Sequence, residues 1–124
     1  MKIDDKQIMV EIGEQKFHCA MDVAINFIGG KWKTVVLWYL KKDKKRFAEL
    51  KKLNPPISDR MLSITLKQLE DDGLIIRQVF STKPPLRVEY SLTEFGNSCI
   101  PMLNEIAKWG RMVAKTKGTV TEID

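Results

Sequence analysis

The sequence predicts an α+β domain, mostly helical, with the arrangement of a winged helix-turn-helix and one long helix after it. Three observations carry this. A well-capped helix from Asp59 to Asp72 follows a shorter helix across a tight turn at Asn54–Ile57. Two β-like stretches come at once after it, separated by a proline pair. A last helical pattern then runs to about Lys117.

Residues 10–17 read as a short extended piece or an arm. From Ala20 to Ile28 the apolar residues Val23, Phe27 and Ala24 or Ile28 recur at helical spacing, and Gly29-Gly30 breaks the run. A second helix, Trp32 to about Lys41, is apolar almost throughout and should be largely buried. The stretch Arg46–Leu53 forms a short helix burying Phe47, Leu50 and Leu53. Pro55 ends it, because a residue preceding proline is pushed out of the helical region.

The next helix is the best specified. Ser58 is a strong N-cap. Ile57 and Leu62 occupy the N′ and N4 positions of a hydrophobic staple. At the other end, Gly73 supplies a left-handed C′ residue, and Leu74 can cover Leu69 in a Schellman ending. At about 100° per residue, Leu62, Thr65, Leu66 and Leu69 share the face that must pack inward. Arg60, Ser63, Ile64, Lys67 and Gln68 share the other.

Leu74–Phe80 and Arg87–Leu92 form a hairpin. In the second strand Val88, Tyr90 and Leu92 point one way, and Arg87, Glu89 and Ser91 the other, the pattern of a half-buried strand with its charges outside. The tip, Ser81-Thr-Lys-Pro-Pro-Leu-Arg87, is stiffened by two prolines, which lowers the entropy lost when it is held against a partner. Thr93 caps the last helix, in which Pro101 should produce a kink or a split.

Composition sets the boundaries of function. At 124 residues the chain fits one domain with a core of its own. No apolar run nears the roughly 20 residues of a membrane span, and Met1–Asp5 has no apolar signal core, so a cytoplasmic protein is expected. One histidine and two cysteines, His18, Cys19 and Cys99, do not make the usual four-ligand zinc site. There is no Gly-rich phosphate loop, no nucleophile elbow and no carboxylate pair at catalytic spacing, so neither an enzyme nor a cofactor or metal is expected.

Net charge is +5 and the pI is near 9.2, a hint of a polyanionic partner. Lys31, Lys33, Lys41, Lys42, Lys44, Lys45, Arg46, Lys51 and Lys52 crowd a segment whose only acids are Asp43 and Glu49. Such a run is often no more than a solvated face. Beside a helix-turn-helix it points to double-stranded DNA. Arg60, Lys67, Gln68 and Ser63 could donate to base edges, and Ile64 could meet a thymine methyl. Ser58 and the first-turn N–H groups could hold a phosphate. Lys45, Arg46, Lys83 and Arg87 could neutralise phosphates, with the tip also able to enter the minor groove. Glu70, Asp71 and Asp72 would repel DNA, which implies that the N-terminal half of the helix enters the groove. The competing reading is a winged-helix protein-interaction module without specific DNA binding.

Several segments together resemble the HxlR-type winged helix-turn-helix regulators of bacteria. They are Ile28-Gly-Gly-Lys-Trp32, Arg46-Phe-Ala-Glu-Leu50, Ile57-Ser-Asp-Arg-Met-Leu-Ser63, Leu66-Lys-Gln-Leu-Glu-Asp-Asp-Gly-Leu74, and Pro84-Pro85 followed by Val88-Glu-Tyr-Ser-Leu-Thr93. The resemblance spans about Cys19 to Arg111. It implies a homodimeric, sequence-specific transcription factor on a near-palindromic operator. Its dimer would be built by the N-terminal segment and the last helix, through Ile100, Leu103, Ile106, Trp109 and Val113. Residues 1–18 are then an arm sharing in the dimer contact, 19–117 the winged domain, and 118–124 a flexible tail. Family members often carry a cysteine just before the first helix, in some a sensor of oxidants or electrophiles. Cys19 matches it, with Ala20 where proline is common, and Lys16 and His18 nearby would favour its thiolate. Cys99 reads as a core residue. An oxidant or small-molecule signal is the implied effector. Trp32, Trp38 and Trp109 could border a ligand pocket, although aromatics at helical spacing more often serve the core.

Overall fold

The computed structural model describes residues 9–123. Of the expected arm, residues 1–8 lie outside the described residues. The rest is a small hairpin, β1 (Val10–Ile12) and β2 (Gln15–Phe17), closed by Gly13-Glu14. Gly13 takes φ +59°, which a two-residue hairpin loop requires of its first member. Four helices follow: α1 (Ala20–Ile28), α2 (Lys33–Tyr39), α3 (Phe47–Leu53) and α4 (Asp59–Asp71). The second hairpin is β3 (Ile75–Ser81) and β4 (Arg87–Leu92), and the chain closes with α5 (Glu94–Asn97) and α6 (Ile100–Lys117). The fold is the expected winged helix-turn-helix with a long C-terminal helix.

Of the alternatives at Pro101, the structure takes the split. Pro101 stands in the first turn of α6, where its missing N–H costs no helical bond. The core gathers Val36, Leu37 and Leu40 from α2 and its C-cap, Leu50 from α3, and Ile57, Leu62, Leu66 and Leu69 from α4 and the turn before it. Leu74 and Ile75 close it from the hairpin, and Leu103 from α6.

Two packing expectations are corrected. Leu53, the last residue of the two-turn α3, is exposed, and Leu50 is the residue of that helix buried in the core. In β4 the most buried residue is Glu89, 8% exposed, while Val88, Tyr90 and Leu92 are half-buried. The side expected to be solvated is covered by Arg87 of the same strand and by Lys44 from the loop before α3, described below.

Thr93 ties the hairpin to the C-terminal helices. Its hydroxyl donates to Gly73 O at 2.6 Å and accepts from Gly96 N–H at 3.0 Å. Gly96 is required there: a Cβ would lie 2.0 Å from the Leu74 carbonyl oxygen.

Candidate nucleic-acid interface

Local signals orient α4. The Ser58 hydroxyl accepts from Met61 N–H at 3.0 Å. At the far end Leu74 N–H donates to Leu69 O at 2.9 Å and Gly73 N–H to Glu70 O at 3.0 Å, a Schellman ending with Gly73 at φ +79°. Ile57 and Leu62, the staple pair, are both buried. Leu62, Thr65, Leu66 and Leu69 face the core, and the Thr65 hydroxyl is satisfied by Met61 O at 2.8 Å. Ser58, Arg60, Ser63, Ile64, Lys67 and Gln68 are all exposed. The Ser58 cap uses the Met61 N–H, so the donors left for an anion at this end belong to Asp59 and Arg60.

Lys51 prepares the helix entry. Its ammonium donates to Pro55 O at 3.0 Å and to Ile57 O, bracing the turn between α3 and α4. Other cations of the basic run are also engaged. Lys31 and Lys41 lie over the rings of Trp32 and Trp38, and Lys33 reaches Asp72 at 4.0 Å. The run is therefore not one free basic face. Lys45 is half-buried, its ammonium is paired with Asp43, and its backbone bridges Tyr90 (N to O 2.9 Å, O to N 2.8 Å). Arg46 stays exposed as the N-cap of α3, its N–H bonded to Glu49 Oε1 at 2.8 Å.

The hairpin tip projects Lys83 into solvent, with the Ser81 hydroxyl donating to Lys83 O at 2.9 Å. Where the tip meets the strands, Glu89 Oε2 accepts from Arg87 Nε at 3.2 Å, and Lys44 Nζ lies 3.2 Å from Glu89 Oε1 without a well-aligned hydrogen bond. Both cations also lie over the Phe80 ring, at 4.8 and 5.4 Å from its centroid. Phe80 is the extra residue of a bulge, because Val79 pairs with Val88 and Ser81 with Arg87. Burial alone would raise the Glu89 pKa. The charges of Lys44 and Arg87 and the Arg87 hydrogen bond outweigh it and hold the carboxyl below its ordinary value. Lys67 is shifted upward, chiefly by its hydrogen bond and charge interaction with Asp71, with Glu70 adding to it. Lys44, Glu89 and Arg77 were absent from the residues expected at this surface. Lys44 stood in the basic run and Glu89 on the outward face of the second strand, but neither was singled out, and Arg77 was a cation in a strand whose faces periodicity alone did not assign.

Of the residues expected at a dimer contact, Leu103 is corrected: at 3% exposure it belongs to the protomer's own core. Ile100 packs half-buried against that core, and Val113 is half-buried. Ile106 and Trp109 are exposed, Trp109 at 66%, and Met112, Met21 and Ile25 are exposed apolar residues that the sequence reading did not single out. Cys19 is the N-cap of α1, half-buried and unpaired in any disulfide. Neighbouring His18 is turned to Asp22, Nδ1 to Oδ2 3.0 Å. Cys99 is only half-buried, donates to Gly96 O at 3.0 Å, and lines an apolar cavity of about 450 Å³ with Val23, Phe27, Phe95 and Met102. Burial raises its thiol pKa. Among the described residues no helix is long and apolar enough to cross a membrane, and no cluster of His, Cys, Asp and Glu could hold a metal.

The sequence pattern of the HxlR-like helix-turn-helix matches residues 27–117. The chain belongs to that family. A relative from Methanothermobacter thermautotrophicus, an uncharacterized HTH-type transcriptional regulator, is 49% identical over 102 residues, covering 82% of this chain and 77% of its own. The reduced form of the redox regulator HypR superimposes with a TM-score of 0.73 at 38% identity, over 77% of this chain and 94% of that one. The reduced form of the transcriptional regulator YodB from Bacillus subtilis does so with a TM-score of 0.64 at 33% identity, over 75% and 91%. The HxlR-type chain described here is thus a DNA-binding, winged helix-turn-helix transcriptional regulator, and its relatives are regulators of transcription.

Proposed function

We propose that the protein binds a near-palindromic DNA operator as a homodimer in the cytoplasm, and that it is not an enzyme. The N-terminal half of α4 enters the major groove. Arg60, Ser63, Lys67 and Gln68 address base edges there, and Ile64 a thymine methyl. Ser58 and the first turn of α4, with Arg46, Lys83 and Arg87, meet phosphates. Lys45 contributes by its backbone bridge to Tyr90, which braces β4, more than by its committed ammonium. The observation that carries this reading is the two-faced α4, leucines inward and an exposed row of donors outward, beside a basic hairpin. Exposed Met21, Ile25, Ile106, Trp109 and Met112 supply apolar surface for a second copy. The two α4 helices would then lie about 34 Å apart, one turn of DNA.

The test is selection of duplexes from a random pool by the purified protein, followed by titration against salt. With about 8–10 phosphate contacts per dimer, affinity falls roughly 10³–10⁵-fold between 50 and 200 mM salt. A flat salt dependence, or selection that Arg60→Ala leaves intact, overturns the reading in favour of a protein-interaction module.

The signal in this reading is an oxidant or electrophile taken up at Cys19. Its position at the start of α1 supports this, as do the redox regulator and quinone-bound relatives. Burial raises the Cys99 thiol pKa, which disfavours its nucleophilic thiolate. A Cys19 thiol pKa of about 8.5 or above, the value of an unactivated thiol, removes the sensor role.

A further inference from the structure

An open cleft of about 500 Å³ lies between α4 and the base of the second hairpin. Ser63, Leu66, Lys67 and Glu70 form its helical wall, and Arg77 and Tyr90 its sheet wall. Arg77 and Tyr90 are register partners across β3 and β4, so their side chains stand on the same face. Ile75 and Leu92, the pair two residues toward the domain, share that face, and it is the one turned to the helices. Leu66 is buried at the cleft's base, and the Lys45 bridge fixes the Tyr90 backbone from the other edge.

The cleft carries donors and little to satisfy them. Ser63 and Tyr90 bring hydroxyls, and Lys67 and Arg77 bring charge. Lys67 is already engaged by Asp71 at 2.9 Å. Arg77 is exposed and forms no ion pair among the described residues. Glu70 is the one carboxylate in the lining, one turn beyond Leu66 and two beyond Ser63, toward the acidic helix end. A helix of about 10–12 Å diameter fills a major groove about 12 Å wide. A groove seated on the Ser63 and Lys67 face therefore brings one sugar-phosphate strand over the space beside it, between α4 and the hairpin. Guanidinium is the side chain best shaped to take two phosphate oxygens at once.

We propose that this cleft is a binding site for one backbone phosphate of the DNA, with Arg77 as its principal ligand and the Tyr90 hydroxyl as a supporting donor. The inference rests on the DNA-binding reading above. Arg77 fixes the distance between the reading helix and the wing, and it carries no base information of its own.

The test uses the full-length protein and a duplex it selects, with each phosphate near the half-site replaced singly by an uncharged methylphosphonate. Arg77→Ala weakens binding about 10–100-fold, on selected and random duplexes alike, as loss of a charged hydrogen-bonded pair should. Its salt slope drops by about 0.9 per protomer. One methylphosphonate position that weakens the wild-type complex becomes silent in Arg77→Ala, while the other positions keep their effect. Arg77→Lys retains the slope, and Tyr90→Phe, which keeps the ring, reduces the penalty at that same position. An unchanged slope and an unchanged phosphate profile in Arg77→Ala overturn the cleft site. Binding that still depends on Arg60 would, in that case, leave the DNA reading standing. Failure of the wild type to select any duplex overturns both.

Discussion

Arg87 and Glu89, two residues apart on β4, are joined Nε to Oε2 at 3.2 Å, with Lys44 on the other carboxylate oxygen at the same distance. A nearly buried acid thus holds two cations just below the tip of the wing. Arg87 spends only its Nε–H on this contact, so its terminal amino groups remain free for a phosphate.

Glu89 makes stability depend on pH. Its folded-state pKa lies below the ordinary value of 4.5, so its pairs contribute fully above that value. The contribution is lost as pH falls through the lower, folded-state pKa. Thermal unfolding of wild type and Glu89→Gln should therefore differ most at neutral pH and converge as the solution is acidified below about 4.5. A difference that stays constant to acid would mean the carboxylate charge is irrelevant to the fold.

Asp71→Lys removes the acid that holds Lys67 and adds a cation at the end of α4 expected to stay out of the groove. Exposed pairs of this kind contribute about 1 kcal/mol or less, so random-duplex affinity should rise by less than about tenfold. Fluorescence anisotropy with unselected DNA measures it. A larger gain would place the acidic end against the duplex and reverse the docking polarity.

Leu103 and Trp109 separate core from contact surface on one helix. Leu103→Ala should lower unfolding free energy by about 2–5 kcal/mol, because it empties a site in a packed core. Trp109→Asp should leave the protomer folded and shift sedimentation from dimer to monomer. Circular dichroism and analytical ultracentrifugation on the two variants give opposite patterns if the faces are assigned correctly.

Gly96→Ala places a Cβ 2.0 Å from the backbone oxygen of Leu74, which has no flexible end to move aside. A cost of about 1–3 kcal/mol is expected from chemical denaturation, with the hairpin loosened from α5. Gly110→Ala is the control, since nothing lies within 4 Å of its added Cβ.

What the sequence determined by itself is what depends on neighbours along the chain. The Ser58 cap, the Schellman turn at Gly73, the break at Gly29-Gly30 and the proline boundary after α3 all act within one or two helical turns, so their partners are readable from spacing. The inward row of leucines and outward row of donors on α4 follow from the helical period alone. Tertiary structure decided what depends on segments distant in sequence. Leu103 and Trp109 are both apolar and both on α6, and only the position of α2 buries the first and leaves the second bare. Alternation put Glu89 outside beside Arg87, yet it is buried because the loop before α3 bridges β4 at Tyr90 and brings Lys44 over it. Burial and charge pairing are set by whichever segment packs alongside, and Arg77 gained its cleft only when the hairpin folded back against α4.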